Sequence, residues 1–363
     1  MKIGITLVLF IYGVIHFMGF AKAFNVGQLA QFSIEISKPL GILWLCAGLI
    51  FILIALLYFL NNQIWTALAI IAVVLSQILI FISWNDAKYV TIANLIVLVA
   101  AIIGFGNQHF EDTYRKDVLS ALKMNKMASD IVTEKDLEVV PPLVQNYLRY
   151  VGVIGKPKIY NVRLAFHGEM RDKGKYWFKF TSDQFNFFYK PTRLFFMKAK
   201  VMGFPMVGYH RYQVQGAEMT IKLLSVLSIV HIKNKELFAT ETVTYFNDLC
   251  LFAPAALINK QIQWVTLNEL SVKASFKAHG NNISAILYFN ELGQLINFTS
   301  NDRYSVVEMK TFPFSTPIRN YKIINGLHLP TYGEAIWNYP EGDFMYGKFH
   351  LKSVEYNVSK LNG

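Results

Sequence analysis

Leu40–Leu60 is a run of 21 residues without one charge, and nothing else in the chain restricts its fold so severely. A helix of that length rises about 32 Å, close to the roughly 30 Å hydrocarbon core of a bilayer. A helix on the surface of a water-soluble domain needs a polar face, and this run has none. Three neighbours share its character: Ile3–Phe20, interrupted near its end by His16; Ile64–Trp84, whose most polar member is Gln77; and Tyr89–Phe105, which contains Asn94. The joins Asn61-Asn62-Gln63 and Asn85-Asp86-Ala87-Lys88 suit only antiparallel neighbours. Four membrane spans in an up-down bundle are therefore expected over residues 1–106.

Charge changes at the same boundary. Residues 1–106 carry six charged side chains; the other 257 residues carry 53, the density of a soluble domain. The chain thus reads as an integral membrane segment fused to a water-facing one. Ala21-Lys22-Ala23 also permits the first run to be read as a cleavable signal peptide. Lys2, Arg115, Lys116, Lys123 and Lys126 flank one side of the bundle against Lys22, Lys38 and Lys88 on the other. That count leans towards a cytoplasmic second half, whereas an acyl-chain ligand would suit the opposite side; both orientations stay open.

Within the bundle, Gly13-x-x-His16-x-x-Gly19 places one titratable ring between two small residues, and Gln77 and Asn94 could reach it. A polar group in lipid is costly and usually faces the bundle interior, so His16, Gln77 and Asn94 form a candidate proton- or redox-linked cluster. The alternative puts His16 at the headgroup level, with Gln77 and Asn94 as packing contacts between helices.

Residues 107–140 mix Leu119, Leu122, Met124, Met127 and Ile131 with lysines at helical spacing, as in an amphipathic surface helix or a plain stalk. Pro141-Pro142 ends this linker, and a short helix over Leu143–Tyr150 follows. Residues 141–363 then read as a β-rich domain. Leu270–Ala278 alternates without error between an apolar face and Ser271, Lys273, Ser275 and Lys277. Gly293 supplies the positive φ for a turn between Asn282–Asn290 and Gln294–Thr299. About eleven strands with short connections imply a large curved antiparallel sheet or partly open barrel. One helix, Glu241–Ile258 kinked at Pro254, is apolar enough to cover the concave face. The fold class is a four-span α-bundle plus an α+β domain.

A set of short motifs carries a resemblance. Leu148-Arg-Tyr-Val-Gly152, Gly168-Glu-Met170-Arg171, Glu241-Thr-Val-Thr-Tyr-Phe-Asn247-Asp248 and Ala253-Pro-Ala-Ala-Leu257 are among them. Phe289-Asn-Glu-Leu-Gly293, Asp302-Arg303, Thr316-Pro317 and Tyr356-Asn357 complete the set. With these the chain resembles the uncharacterised bacterial membrane protein family known as domain of unknown function 6544. The front spans are similar to members carrying four helices, so the resemblance implies a protein of the bacterial cytoplasmic membrane. It brings no catalytic assignment. At the level of fold only, the strand-rich half is similar to the unclosed barrels of lipoprotein carriers, whose concave apolar face holds acyl chains.

Chemistry-bearing motifs are scarce. There is no His-x-x-x-His pair, phosphate-binding glycine loop or Gly-x-Ser-x-Gly elbow, and Cys46 and Cys250 lie far apart. No metal or cofactor is expected. His210, beside Tyr209 and Arg211, reads as a structural histidine on a strand. Glu241 and Asp248 share a helix face seven residues apart, which suits either acid/base work or pairing with a cation such as Arg303. Asp302-Arg303 reads first as an ion pair. The second half carries a net charge of +9, spread over strand faces. That suits an anionic membrane surface and not the concentrated stripe that nucleic acid requires.

The leading expectation is a membrane-anchored domain that binds or transfers a lipid or other lipophile, lined by Phe187, Phe196, Trp264, Phe276, Phe289 and Phe298. One alternative is an enzyme acting on a lipophilic substrate through Glu241, Asp248, Asp302 and Arg303. The other makes the bundle around His16 the active part.

Overall fold

The computed structural model describes residues 2–26, 33, 35–125, 130–305 and 308–361. The chain divides into two compact units, Met1–Phe110 and Glu111–Gly363.

The first unit is helical: α1 (Lys2–Ala23), α2 (Lys38–Phe59), α3 (Trp65–Ile82), the single turn α4 (Trp84–Ala87) and the start of α5 (Val90–Met124). α1, α2, α3 and α5 are each long and apolar enough to cross a membrane. Tyr12, Phe51, Ile54, Ala69, Ala72 and Ala101 make its core, while Leu49, Leu53, Ile71 and Ile78 point outwards. An apolar core beneath an apolar surface is compatible with insertion of these helices into a membrane. α1 and α2 approach closely through glycine. A Cβ on Gly13 would lie 2.8 Å from the Gly48 carbonyl oxygen, and one on Gly19 would lie 2.3 Å from the Trp44 ring. Small residues at such crossings let helix backbones meet.

In the second unit, residues 111–124 of α5 lie against the sheet. Tyr114 donates to Asp183 at 3.0 Å and stacks on Phe196 at 5.3 Å, and Tyr209 donates to Asp117 at 2.7 Å. The helical pattern expected of the linker thus holds to Met124. Lys126 and Met127 lie outside the described residues, and Ile131 forms an extended bridge with Pro157. A 3-10 turn, Glu134–Val139, leads to α6 (Pro142–Val151), which starts on proline and closes on Gly152 at φ +83°.

Thirteen antiparallel strands follow, two more than the alternation indicated: β1 (Asn161–Met170), β2 (Phe178–Phe187), β3 (Thr192–Val201), β4 (Phe204–Gln213), β5 (Gly216–Leu223), β6 (Leu227–Ile232), β7 (Ile262–Asn268), β8 (Ser271–Ala278), β9 (Asn281–Phe289), β10 (Leu295–Ser305), β11 (Lys310–Ile324), β12 (Leu327–Tyr339) and β13 (Gly342–Tyr356). Their order is β6-β5-β4-β3-β2-β1-β13-β12-β11-β10-β9-β8-β7. The sheet is open, with β6 and β7 as its two edges.

The helix between those edges is α7 (Lys235–Phe252). It leaves one edge strand, packs against β4, β5, β9, β10 and β12, and delivers the chain to the other edge. It starts six residues before the expected Glu241, because the Asn234 side chain caps it by accepting from the Leu237 amide at 2.8 Å. It stops at Phe252, and a 3-10 turn, Pro254–Leu257, takes over where proline offers no amide hydrogen. Tyr245, Phe246, Leu249 and Cys250 are buried beneath it, with Phe246 stacked on Phe276 at 4.8 Å. The helix therefore covers the concave face, as its apolar character implied, and fills much of it.

Candidate functional site

The part of the concave face that α7 leaves unfilled is a cavity of about 130 Å3. Phe166, Phe195, Leu251, Phe252, Ile318 and Phe349 supply apolar wall, and Gln184, Arg193, His210, Glu241, Asp248 and Arg303 supply charge and polarity.

Strand parity explains the polar floor. Asn186 stands opposite Arg193 and Gln184 opposite Phe195, so β2 and β3 present these four side chains on one face. Arg193 reaches up from the sheet to the helix. Its Nη1 donates to Glu241 Oε2 at 3.0 Å and its Nε to Asp248 Oδ2 at 2.7 Å, bridging the two carboxylates across two helical turns. Gln184 donates to Asp248 at 2.7 Å and accepts from Arg193 at 3.3 Å, and Asn186 donates to Asp248 at 3.3 Å. On β4, His210 Nδ1 lies 3.0 Å from Glu241 Oε1. The Arg193 and Glu241 side chains are only 8% and 4% exposed, so the network is largely dry.

Burial alone would raise the Glu241 carboxyl, but Arg193, the His210 hydrogen bond and the more distant charge of Arg303 hold it down at about 2. Burial opposes the Arg193 charge too, and Asp248 and Glu241 outweigh it, leaving that guanidinium firmly protonated. Glu241 is consequently a carboxylate at neutral pH, which can only accept, so the proton on His210 Nδ1 is fixed by its partner.

The sequence candidates fall into separate places. Glu241, Asp248 and Arg303 line the cavity, but Asp302 does not. A bulge between Ser300 and Arg303 shifts the register of β10. Asp302 bonds the Ser284 amide at 2.6 Å, while Arg303 donates to the Tyr346 hydroxyl at 2.7 Å and stacks 4.0 Å from the Phe314 ring centre. The ion pair expected between neighbours 302 and 303 is therefore absent among the described residues, since adjacent strand residues point opposite ways. Phe187, Phe196, Trp264, Phe276, Phe289 and Phe298 do not line the cavity. Phe276, Phe289 and Phe298 pack in the core under α7 and α6, Phe196 stacks on Tyr114, Phe187 is buried beside Phe185, and Trp264 is half-buried on edge strand β7. Arg193 carries the network yet escaped the sequence reading. Its partners lie 48 and 55 residues away, so no local motif announces it.

The first unit holds a second polar cluster. His16 is fully buried, with Nδ1 2.8 Å from the Tyr12 carbonyl oxygen and Nε2 2.8 Å from Ser76 Oγ. Asn94 donates to Ser76 at 3.1 Å and to Gln77 Oε1 at 3.0 Å, Tyr12 donates to Asn94 at 2.6 Å, and Gln77 donates to Thr91 at 3.1 Å. The structure thus brings His16, Gln77 and Asn94 into one network inside the bundle, with Tyr12 and Ser76 as the links. Internal satisfaction of this kind is what a low-dielectric medium demands.

Against known proteins, residues 130–349 match the model of a family of unknown function, DUF6544. No curated protein matches the chain. Among solved structures, a crystal structure of a LolA superfamily protein from Nitrosomonas europaea aligns over 62% of this chain and 94% of that one, at 9% identity and a TM-score of 0.28.

Proposed function

The chain belongs to the family of unknown function DUF6544, and from its sheet unit we propose that it binds a lipophile, one end of which enters the cavity beside α7. The observation that carries this reading is the lining itself: phenylalanine, leucine and isoleucine walls around a fixed polar floor, on an otherwise well-filled concave face. Ligand sites are mostly apolar with a few convergent polar groups that fix orientation. Size limits the occupant. A cavity of about 130 Å3 is comparable to the apolar void of about 150 Å3 that takes one benzene ring. It accommodates one end of an acyl chain or a single ring, and the remainder would lie along the open mouth. The four apolar helices serve as the anchor in this reading, and the +9 charge of the second half favours an anionic membrane surface.

Native mass spectrometry of the full chain, released from mild detergent, tests the proposal. A bound lipid or other apolar molecule is expected at near one per chain, and it should be lost when Phe349→Trp and Phe252→Trp fill the cavity. A wild-type chain that carries nothing, and binds no lipid added back, overturns it.

A further inference from the structure

His210 has an arrangement that ligand binding does not require. Its Nδ1 is held at 3.0 Å by Glu241, a carboxylate 4% exposed and itself fixed by Arg193. Since Glu241 only accepts, the proton sits on Nδ1 and the lone pair of the neutral ring sits on Nε2. Among the described residues nothing hydrogen-bonds that Nε2, and His210 lines the cavity. Arg303 lines the same cavity and has no carboxylate within 4 Å among the described residues; the Tyr346 hydroxyl is its hydrogen-bond partner. An oriented imidazole base and a guanidinium that no carboxylate among the described residues neutralises at contact thus share one apolar-walled space.

We propose that this cavity hydrolyses the ester bond of an acyl lipid, with His210 as general base and Arg303 as the group that receives the developing oxyanion. The inference rests on the lipophile reading above. In the step, a water O–H proton passes to His210 Nε2 while the water oxygen bonds to the ester carbonyl carbon. The carbonyl π pair moves onto oxygen beside Arg303. When it returns, the C–O bond to the alcohol breaks, and the departing alkoxide takes the proton back from His210. A carboxylic acid and an alcohol leave, with no oxidant or further reactant needed. Glu241 is a positioning residue: it sets the tautomer and stabilises the ring when it carries two protons.

The test uses the full chain in mild detergent, with p-nitrophenyl octanoate as chromogenic probe and phosphatidylglycerol vesicles followed by mass spectrometry of released fatty acid. Hydrolysis is expected, and His210→Gln should lower kcat by about 10²-fold with KM little changed. Glu241→Gln should also reduce kcat, because a carboxamide can donate to Nδ1 and turn the lone pair away from the cavity. Nitrogen-15 spectra of the histidines report that tautomer change directly, whatever happens to stability. Wild-type chain that carries lipid but cleaves neither probe, or that cleaves both as fast with Gln at 210, overturns the hydrolase and leaves the binding reading standing. Chain that neither carries lipid nor cleaves the probes overturns both.

Discussion

Two stretches of the same concave face meet the same helix and end up differently. Over β8, β9 and the first half of β10, Phe276 and Phe298 pack onto Tyr245 and Phe246 of α7, Phe289 meets Tyr147 of α6, and Leu287 is buried in the same apolar core. Over β1 to β4 and β11 to β13, the helix presents Glu241 and Asp248, the sheet presents Gln184, Asn186, Arg193 and His210, and a cavity persists. Apolar side chains close on one another until contact, because each methylene removed from water gains about 0.8 kcal/mol. Ions cannot do this. Their geometry is set by hydrogen bonds about 3 Å long in fixed directions, and the remaining volume stays open. The charged cluster is thus a spacer as well as a polar floor.

Arg193 is the strongest point at which to break the contrast. Arg193→Met leaves Glu241 and Asp248 buried without their cation and should cost about 3–5 kcal/mol, read as urea unfolding of the sheet unit in the detergent-solubilised chain. Adding Glu241→Leu and Asp248→Leu removes the orphaned charges. Stability should return to near wild type, while the cavity collapses and bound lipid is lost. A triple variant that keeps its lipid would show that the ions do not hold the space open.

Truncation of matched aromatics sharpens the comparison. Phe246→Ala in the filled stretch should cost about 3–5 kcal/mol, since every neighbour loses contacts at once. Phe349→Ala should cost less, because its ring already borders empty volume. Equal losses would mean that the cavity is closed by its own walls in solution.

The filled stretch was the legible one. Leu270–Ala278 and Asn282–Asn290 announced their strands because one face is uniformly apolar, and the structure has β8 and β9 there. β2 has no such alternation, because its inward residues Ser182, Gln184 and Asn186 are polar. Gln184 and Asn186 face inward to bond Asp248, and Gln184 also accepts from Arg193, so the signal failed at the very place where the polar floor is built. The helix over Leu40–Leu60 needed no tertiary information, since 21 residues without a charge already make a run long and apolar enough to cross a membrane, and α2 lies there. His210 and Arg193 needed all of it. β5, β6 and β7 lie at or near the sheet edges, where β5 is half-buried and β6 and β7 are largely exposed, so no clean alternation marks them.

Acid separates the stretches as well. Glu241 titrates at about 2 in place of an ordinary 4.5. A carboxyl depressed by folding adds stability that is complete above the unfolded value and disappears as pH falls through the folded one. Its share, on the order of 3 kcal/mol, should be intact above about pH 4.5 and vanish between there and about pH 2. Tryptophan fluorescence of the sheet unit is expected to change in that window. With Glu241→Gln the stability at pH 7 should be lower and its decline in acid shallower; an identical acid profile would remove Glu241 from the account.

The smallest effect belongs to a residue that serves both stretches equally. Asn234 caps α7 through the Leu237 amide at 2.8 Å, before the helix reaches either the filled or the open region. Asn234→Ala should cost about 1 kcal/mol, the usual value of a lost cap. The loss falls on the helix as a whole, so the lipid carried per folded chain should not change. That makes it the control for the larger substitutions. If a general loss of about 1 kcal/mol in α7 also empties the cavity, then ligand loss in the Arg193 variants reports helix docking; if it does not, their ligand loss reports the ions.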